Sequence, residues 1–265
     1  MSPRQHDLDI AGQHLEGRWW GPGPDDAPTL VLLHEGLGCV GLWRDFPALL
    51  AAATGCGVFA YSRAGYGKSS AIELPRPLSY MHDEARATLP LVLDAIGFRA
   101  GALVGHSDGA SIALIHAGAL ADARVKKAAV MAPHVFTEDM GLASIAEAKR
   151  NYENGDLRRK LARWHTHVDC AFYGWNGAWL DPGFRAWNLE EFLPAIRIPL
   201  LILQGEADQY GTIAQVRAIE SGSAGPVETR MIPGIGHSPY REAPEATLDA
   251  LRGFFAGKDS LKGRL

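Results

Sequence analysis

Cysteine is scarce in this 265-residue chain. Cys39, Cys56 and Cys170 are scattered, odd in number and without ligand spacing. They form neither a disulfide framework nor a cysteine metal site, and they suit a reducing compartment. Long apolar runs are missing too. No stretch reaches the roughly 18 uncharged apolar residues that suggest a membrane helix. The start, Met1-Ser2-Pro3-Arg4-Gln5-His6-Asp7, has no apolar signal core. The expectation is a cytoplasmic protein with no membrane partner. Positive charge is not in excess, since 26 Lys and Arg stand against 30 Asp and Glu for a net charge of -4. That balance gives no reason to expect a nucleic-acid partner. The densest basic group, Arg158-Arg159-Lys160 with Arg163, sits in a helical-looking segment among acidic residues and reads as a solvated face.

Metal and phosphate motifs are absent as well. There is no HExxH. His165-Thr166-His167 with Asp169 makes a poor ligand cluster, because alternate helical residues point about 200° apart. The glycine-rich loop Ser62-Arg63-Ala64-Gly65-Tyr66-Gly67-Lys68-Ser69 lacks the GxxxxGK[ST] spacing of a phosphate cradle and serves a tight turn.

What is present is a hydrophobic content of 47%, enough for a sizeable core in one domain with a modest insertion. Residues 8–20 can supply an edge strand or hairpin. Short apolar strands are predicted at Thr29–Leu33, Gly57–Tyr61, 102–104, 125–132 and 199–203. Helical patterns alternate with them at 42–53, 80–96, 110–120, 212–221 and 246–255. Pro90 should bend the 80–96 helix, and Gly97 should cap it. A last strand, Val227–Ile232, carries charges at alternate positions, as a sheet edge does. The tail 258–265 reads as frayed. This rhythm implies a mostly parallel α/β sheet with right-handed crossovers. It breaks at 133–198, where helices are expected at 141–153 and 156–168. That stretch holds Trp164, Trp175, Trp179 and Trp187. We read residues 1–132 and 199–265 as the core and 133–198 as a helical cap whose aromatic underside contributes a substrate-pocket wall.

Gly105-His106-Ser107-Asp108-Gly109 lies between a predicted strand and a predicted helix. G-x-S-x-G at such a junction lifts a serine hydroxyl onto a tight turn above a parallel sheet. A serine hydroxyl needs an adjacent base, and the base needs an orienting acid. Among ten histidines, His237 stands in a glycine-rich loop directly after a strand, where its ring can project over the sheet edge. Asp208 lies in the loop after strand 199–203, with Glu206 as its rival. The oxyanion donors expected are the backbone N–H groups of Asp108 and Gly36.

Together these residues resemble the α/β-hydrolase superfamily, in its cap-bearing, esterase-like branch. His34 to Trp43 is similar to its oxyanion loop, and Ser62 to Ser69 to its Asp-x-x-Gly-x-Gly-x-Ser loop. Gly105–Gly109 resembles its nucleophile elbow, Gly205-Glu206-Ala207-Asp208 its acid turn, and Gly236-His237 with Glu242 and Pro244 its histidine turn. The resemblance implies an α/β-hydrolase fold, a triad of Ser107, Asp208 and His237, and no metal or organic cofactor. Three departures stand out. Glu35 replaces the usual glycine, and its carboxylate could repel an acid or hold an ammonium or hydroxyl. Ser62 replaces the usual aspartate, which changes loop anchoring. Asp108 follows the nucleophile, as in hydrolases of amino-acid esters such as valacyclovir, where the aspartate is taken to meet an ammonium. Asp108 could do that or tie down its own turn.

The expected activity is hydrolysis of a small carboxylic ester by a monomer or homodimer acting on a small-molecule substrate. Alternatives on the same triad are a C–C hydrolase, a lactonase or an amidase. A non-enzymatic receptor for a small ligand is the alternative of another class.

Overall fold

A computed structural model describes residues 2–256 and 261 of the chain. The first strands are short and antiparallel. β2 (Leu8–Ile10) and β3 (Gln13–Leu15) form a hairpin, while β1 (Arg4–Gln5) pairs with β4 (Gly17–Trp20) at the edge of the main sheet. The remaining strands run parallel: β5 (Thr29–Leu33), β6 (Gly57–Tyr61), β7 (Gly101–His106), β8 (Val125–Met131), β9 (Leu200–Gly205) and β10 (Val227–Ile232). The sheet order is β1-β4-β6-β5-β7-β8-β9-β10, with β4 antiparallel to β6.

Strand periodicity divides the core into two layers. Leu30 and Leu32 pack with Leu50, Leu251 and Phe255 on one face. Val31 and Leu33 pack with Leu89, Val92 and Ile112 on the other. Burial on both faces explains why β5 reads as a continuous apolar run. β10 is the opposite case: Glu228 and Arg230 are exposed between half-buried neighbours and pair with each other, a charged edge that resists further strand pairing.

The helix expected at 42–53 is interrupted. A 3₁₀ turn (Val40–Trp43) ends at Arg44, whose φ of 54° and ψ of -126° break the helix before α1 (Phe46–Thr54) starts. The pattern at 80–96 becomes α2 (Tyr80–Asp83), a wide π turn (Glu84–Thr88) and α3 (Leu89–Ala95). Proline lacks an N–H and its ring needs room, and the π turn places Pro90 in the first turn of α3. The carbonyl of Ala85, five residues before it, instead accepts from His116 Nδ1 at 2.9 Å.

α4 (Asp108–Ala119) follows β7. Between β8 and β9 come α5 (Asp139–Asn154), α6 (Leu157–Leu161) and α7 (Val168–Trp179). The second helix expected there, 156–168, ends at Leu161. The chain leaves it because Thr166 N–H donates to Gly67 O, and Gly67 N–H donates to His165 Nδ1 at 2.9 Å. The pattern reading missed α7 among its aromatics. The chain closes with α8 (Ile213–Gly222), α9 (Pro239–Glu242) and α10 (Pro244–Phe255). The expected frayed tail lies outside the described residues, apart from Leu261, which is buried in the core. Among the described residues no helix is long and apolar enough to cross a membrane.

Candidate active site

Ser107 leaves β7 with φ of 53° and ψ of -119° and caps α4. That turn requires its glycines. A Cβ on Gly105 would lie 2.3 Å from Gly109 O, and one on Gly109 would lie 2.0 Å from Leu33 O. The conformation is costly for a side-chain-bearing residue, and Ser107 N–H anchors it by donating to Met131 O at 2.9 Å.

Ser107 Oγ lies 2.9 Å from His237 Nε2. On its other side His237 Nδ1–H donates to Asp208, at 2.9 Å from Oδ1 and 2.8 Å from Oδ2. Asp208 also accepts from Tyr210 N–H and Gln204 Nε2, each at 2.8 Å. Burial alone would raise the Asp208 carboxyl, but the His237 bond and these further donors outweigh it and hold it at about 2. Glu206, the rival acid, is exposed and takes no part. Glu242 fixes the histidine loop by accepting from Gly236 N–H at 2.7 Å and Ser238 N–H at 2.8 Å, one residue on either side of His237.

The loop after β5 is held from behind by a buried arginine. Arg63 donates to His34 O and, at 3.1 Å, to Glu35 O. His34 accepts the Arg63 N–H at Nε2 (3.0 Å) and donates from Nδ1 to Glu35 O (2.7 Å). This needs a neutral ring, and burial, aided by the Arg63 charge, pushes His34 well below its usual range. The Glu35–Gly36 peptide is planar, so a carbonyl turned toward Arg63 turns the Gly36 N–H the opposite way. Gly36 lines the same cleft as Ser107. The Asp108 N–H lies in the first turn of α4, where no helical acceptor exists.

The cleft has a volume of about 250 Å³. Trp175 and Trp179 of α7, Ile145 of α5, Tyr210, His134 and Leu37 form much of its wall. Trp175 reaches the loop after β5 because Gly36 has no side chain; a Cβ there would lie 2.1 Å from the indole nitrogen. Two of the four tryptophans expected in this wall are elsewhere. Trp164 precedes α7 and packs on Gly41 beneath Arg44. Trp187 follows α7 and stacks on Phe184, 5.3 Å between centroids, behind Trp179. Only the face of α7 bearing Trp175 and Trp179 meets the cleft.

Asp108 is fully buried. Its carboxylate accepts from Tyr80 OH and, at 3.3 Å, from Trp179 Nε1. Burial raises its pKa despite the Arg63 charge and these donors. Glu35 does reach the cleft, with its Oε2 3.4 Å from His106 Nδ1. At Ser62, the missing aspartate is compensated from outside the loop. Glu16 accepts from Ser62 Oγ at 2.9 Å and Lys68 N–H at 3.1 Å. Of the other histidines, His116 donates to Ala85 O at 2.9 Å. His165 joins the two loops, donating from Nε2 to Leu37 O at 3.1 Å. Among the described residues no group of His, Cys, Asp and Glu is arranged to hold a metal ion.

The sequence profile of the alpha/beta hydrolase family matches residues 30–250. None of the curated proteins searched matches the chain. Several solved structures share its fold. The enol-lactonase from Burkholderia xenovorans LB400 is 20% identical with a TM-score of 0.73, covering 95% of this chain and 100% of that one. Naproxen esterase (carboxylesterase NP) from Bacillus subtilis is 20% identical with a TM-score of 0.72, covering 96% and 92%. A structure from work on epoxide hydrolases in metagenomes from hot environments is 21% identical with a TM-score of 0.73, covering 97% and 100%.

Proposed function

This chain belongs to the alpha/beta hydrolase family, and we propose that it is a serine hydrolase cleaving a small carboxylic ester through an acyl-enzyme. The observation that carries this reading is the unbroken hydrogen-bond chain from Ser107 Oγ through His237 to Asp208, opening on a cleft. Ser107 Oγ attacks the ester carbonyl as His237 Nε2 takes its proton. Asp208 keeps the Nδ1–H tautomer and stabilises the imidazolium that forms. The N–H groups of Gly36 and Asp108 receive the oxyanion. His237 then gives its proton to the departing alkoxide, so the alcohol leaves neutral. Water, deprotonated by His237, adds to the acyl-enzyme, and collapse returns the acid and Ser107.

The cleft bears on the alternatives. Its lining includes Glu35, Asp108 and Glu242 but neither lysine nor arginine. A carboxylate next to the scissile bond would meet repulsion there, which disfavours C–C hydrolysis of acidic diketo substrates. A serine at 107 also disfavours chemistry that needs a carboxylate nucleophile at that position. The test is release of p-nitrophenol from short acyl esters. Wild-type protein should turn over, and Ser107→Ala should lose activity by about 10⁴-fold or more. Full activity in that variant overturns the mechanism, and tight ligand binding without turnover by the wild type would favour a receptor.

A further inference from the structure

Trp164, displaced from the catalytic cleft, forms the floor of a second hollow of about 510 Å³ together with Leu37, Leu42 and Leu161. Its charged lining sets four cations, Arg44, Lys160, Arg163 and Arg241, against one carboxylate, Glu35. In a chain of net charge -4, this is a local inversion of sign. Lys160 pairs with Asp156 at 2.9 Å. Among the described residues Arg44 and Arg163 have no ion-pair partner, while the Arg241 charge acts on Glu35 and helps to lower its carboxyl. Arg163 belongs to the basic group that reads as a solvated face in the sequence; of the others, Arg158 pairs with Asp169, and Arg159 shares Asp156 with Lys160.

Two features tie the hollow to the chemistry. Glu35 and Leu37 line both it and the Ser107 cleft, so the two adjoin at this loop. Arg44 is also held in place. Its guanidinium lies 4.8 Å over the Trp164 ring, and its backbone (φ 54°, ψ -126°) adopts nearly the conformation of Ser107 (φ 53°, ψ -119°). Side-chain-bearing residues rarely occupy that region.

We propose that this hollow binds an anionic group, a carboxylate or phosphate monoester, at the leaving-group end of the substrate. The spacer between anion and ester lies on Leu37 and Trp164. Guanidinium groups suit both anions, which they bind through paired N–H donors. The leaving-group end follows from proton transfer. His237 must reach the departing oxygen, and Arg241 lies in α9, just after His237 in the chain. Of the two, Glu242 lines only the Ser107 cleft and the four cations line only the hollow, so the anion is received away from the reacting centre. The proposal rests on the reading of Ser107 as nucleophile only for the position of the scissile bond.

Three esters of one acyl group test it: 4-acetoxybenzoate, 4-acetoxyphenyl phosphate and the neutral 4-acetoxybenzamide. Each kcat/KM is divided by the ester's spontaneous hydrolysis rate. Wild type should favour at least one anionic ester by about tenfold, with the preference falling as salt rises. The better of the two identifies carboxylate or phosphate as the group recognised. Arg44→Gln/Arg163→Gln and, separately, the surface change Arg163→Glu should remove the preference while leaving benzamide turnover unchanged. Equal turnover of all three esters by wild type, or a preference that survives in both variants, overturns the proposal. Calorimetric binding of 4-hydroxybenzoate and of 4-hydroxyphenyl phosphate to Ser107→Ala separates this proposal from the catalytic one. Arginine-dependent binding without any ester turnover by wild type would sustain the anion site and refute the esterase reading.

Discussion

His106 Nε2–H donates to the backbone carbonyl of His237 at 2.7 Å. The ring therefore grips the main chain of the residue whose side chain faces Ser107. Glu35 Oε2 lies 3.4 Å from the other ring nitrogen, and Glu242 holds the flanking N–H groups. The His237 loop is thus fixed from both sides. His106→Ala should lower kcat on p-nitrophenyl acetate by about a hundredfold with little change in KM, the penalty for a slightly misplaced base. His106→Gln, which can still donate to the carbonyl, should recover part of the loss. Equal kcat in His106→Ala and wild type would show that His106 does not position the His237 loop for turnover.

Gly36 and Trp175 form a complementary pair. A methyl group at residue 36 would meet the indole nitrogen at 2.1 Å, so Gly36→Ala must shift either the loop after β5 or α7. Activity should fall about a hundredfold. Trp175→Phe, harmless or mildly damaging alone, should restore much of it in the double variant. Steady-state kinetics on the four proteins measure this coupling, and additive losses would refute it.

Asp108 separates two readings of one residue. Its buried carboxylate is engaged by Tyr80 and Trp179. Asp108→Asn should therefore change kcat/KM on an amino-acid ester and on its des-amino counterpart by the same factor, within about threefold. A tenfold loss confined to the amino-acid ester would instead place an ammonium on Asp108.

Stability should fall with acid through the buried histidines. Burial, with the His237 charge beside it, pushes His134 down to about 3. An unfolded chain protonates this ring near its ordinary pKa of 6.5, and the native state does so only near 3. Below 6.5 the unfolded state thus binds more protons, and stability is lost as pH falls toward 3. One such group contributes a slope of up to about 1.4 kcal/mol per pH unit. Buried His34 and His165 are lowered too, so the full slope is steeper. Urea unfolding between pH 6 and 4 should show His134→Gln with a slope smaller by about one proton. An unchanged slope would contradict the assignment.

The parts legible in the sequence are those set by local chemistry. β5 is a continuous apolar run because both its faces are buried, and the Ser107 turn needs two glycines within two residues of it. Ser107, Asp208 and His237 could be singled out as candidates because each stands in a turn directly after a strand. The supports of the site join residues far apart in sequence and leave no local pattern. Arg63 holds carbonyls 28 and 29 residues away, and His165 accepts from Gly67 98 residues away. Glu16, 46 residues from Ser62, could be sought only from the absence of the usual aspartate there. The tryptophans mark the limit most clearly. Composition places four of them in one insertion, but the course of α7 decides that Trp175 and Trp179 face Ser107 while Trp164 and Trp187 do not.

In the proposed mechanism Ser107 is a nucleophile activated by His237. The most direct test is covalent labelling with a fluorophosphonate, followed by peptide mass spectrometry. One adduct per chain is expected, on Ser107, absent in Ser107→Ala and formed far more slowly in His237→Ala. Labelling of Ser107→Ala at the wild-type rate, or ester hydrolysis by wild type that continues after full exposure without any Ser107 adduct, would contradict this mechanism.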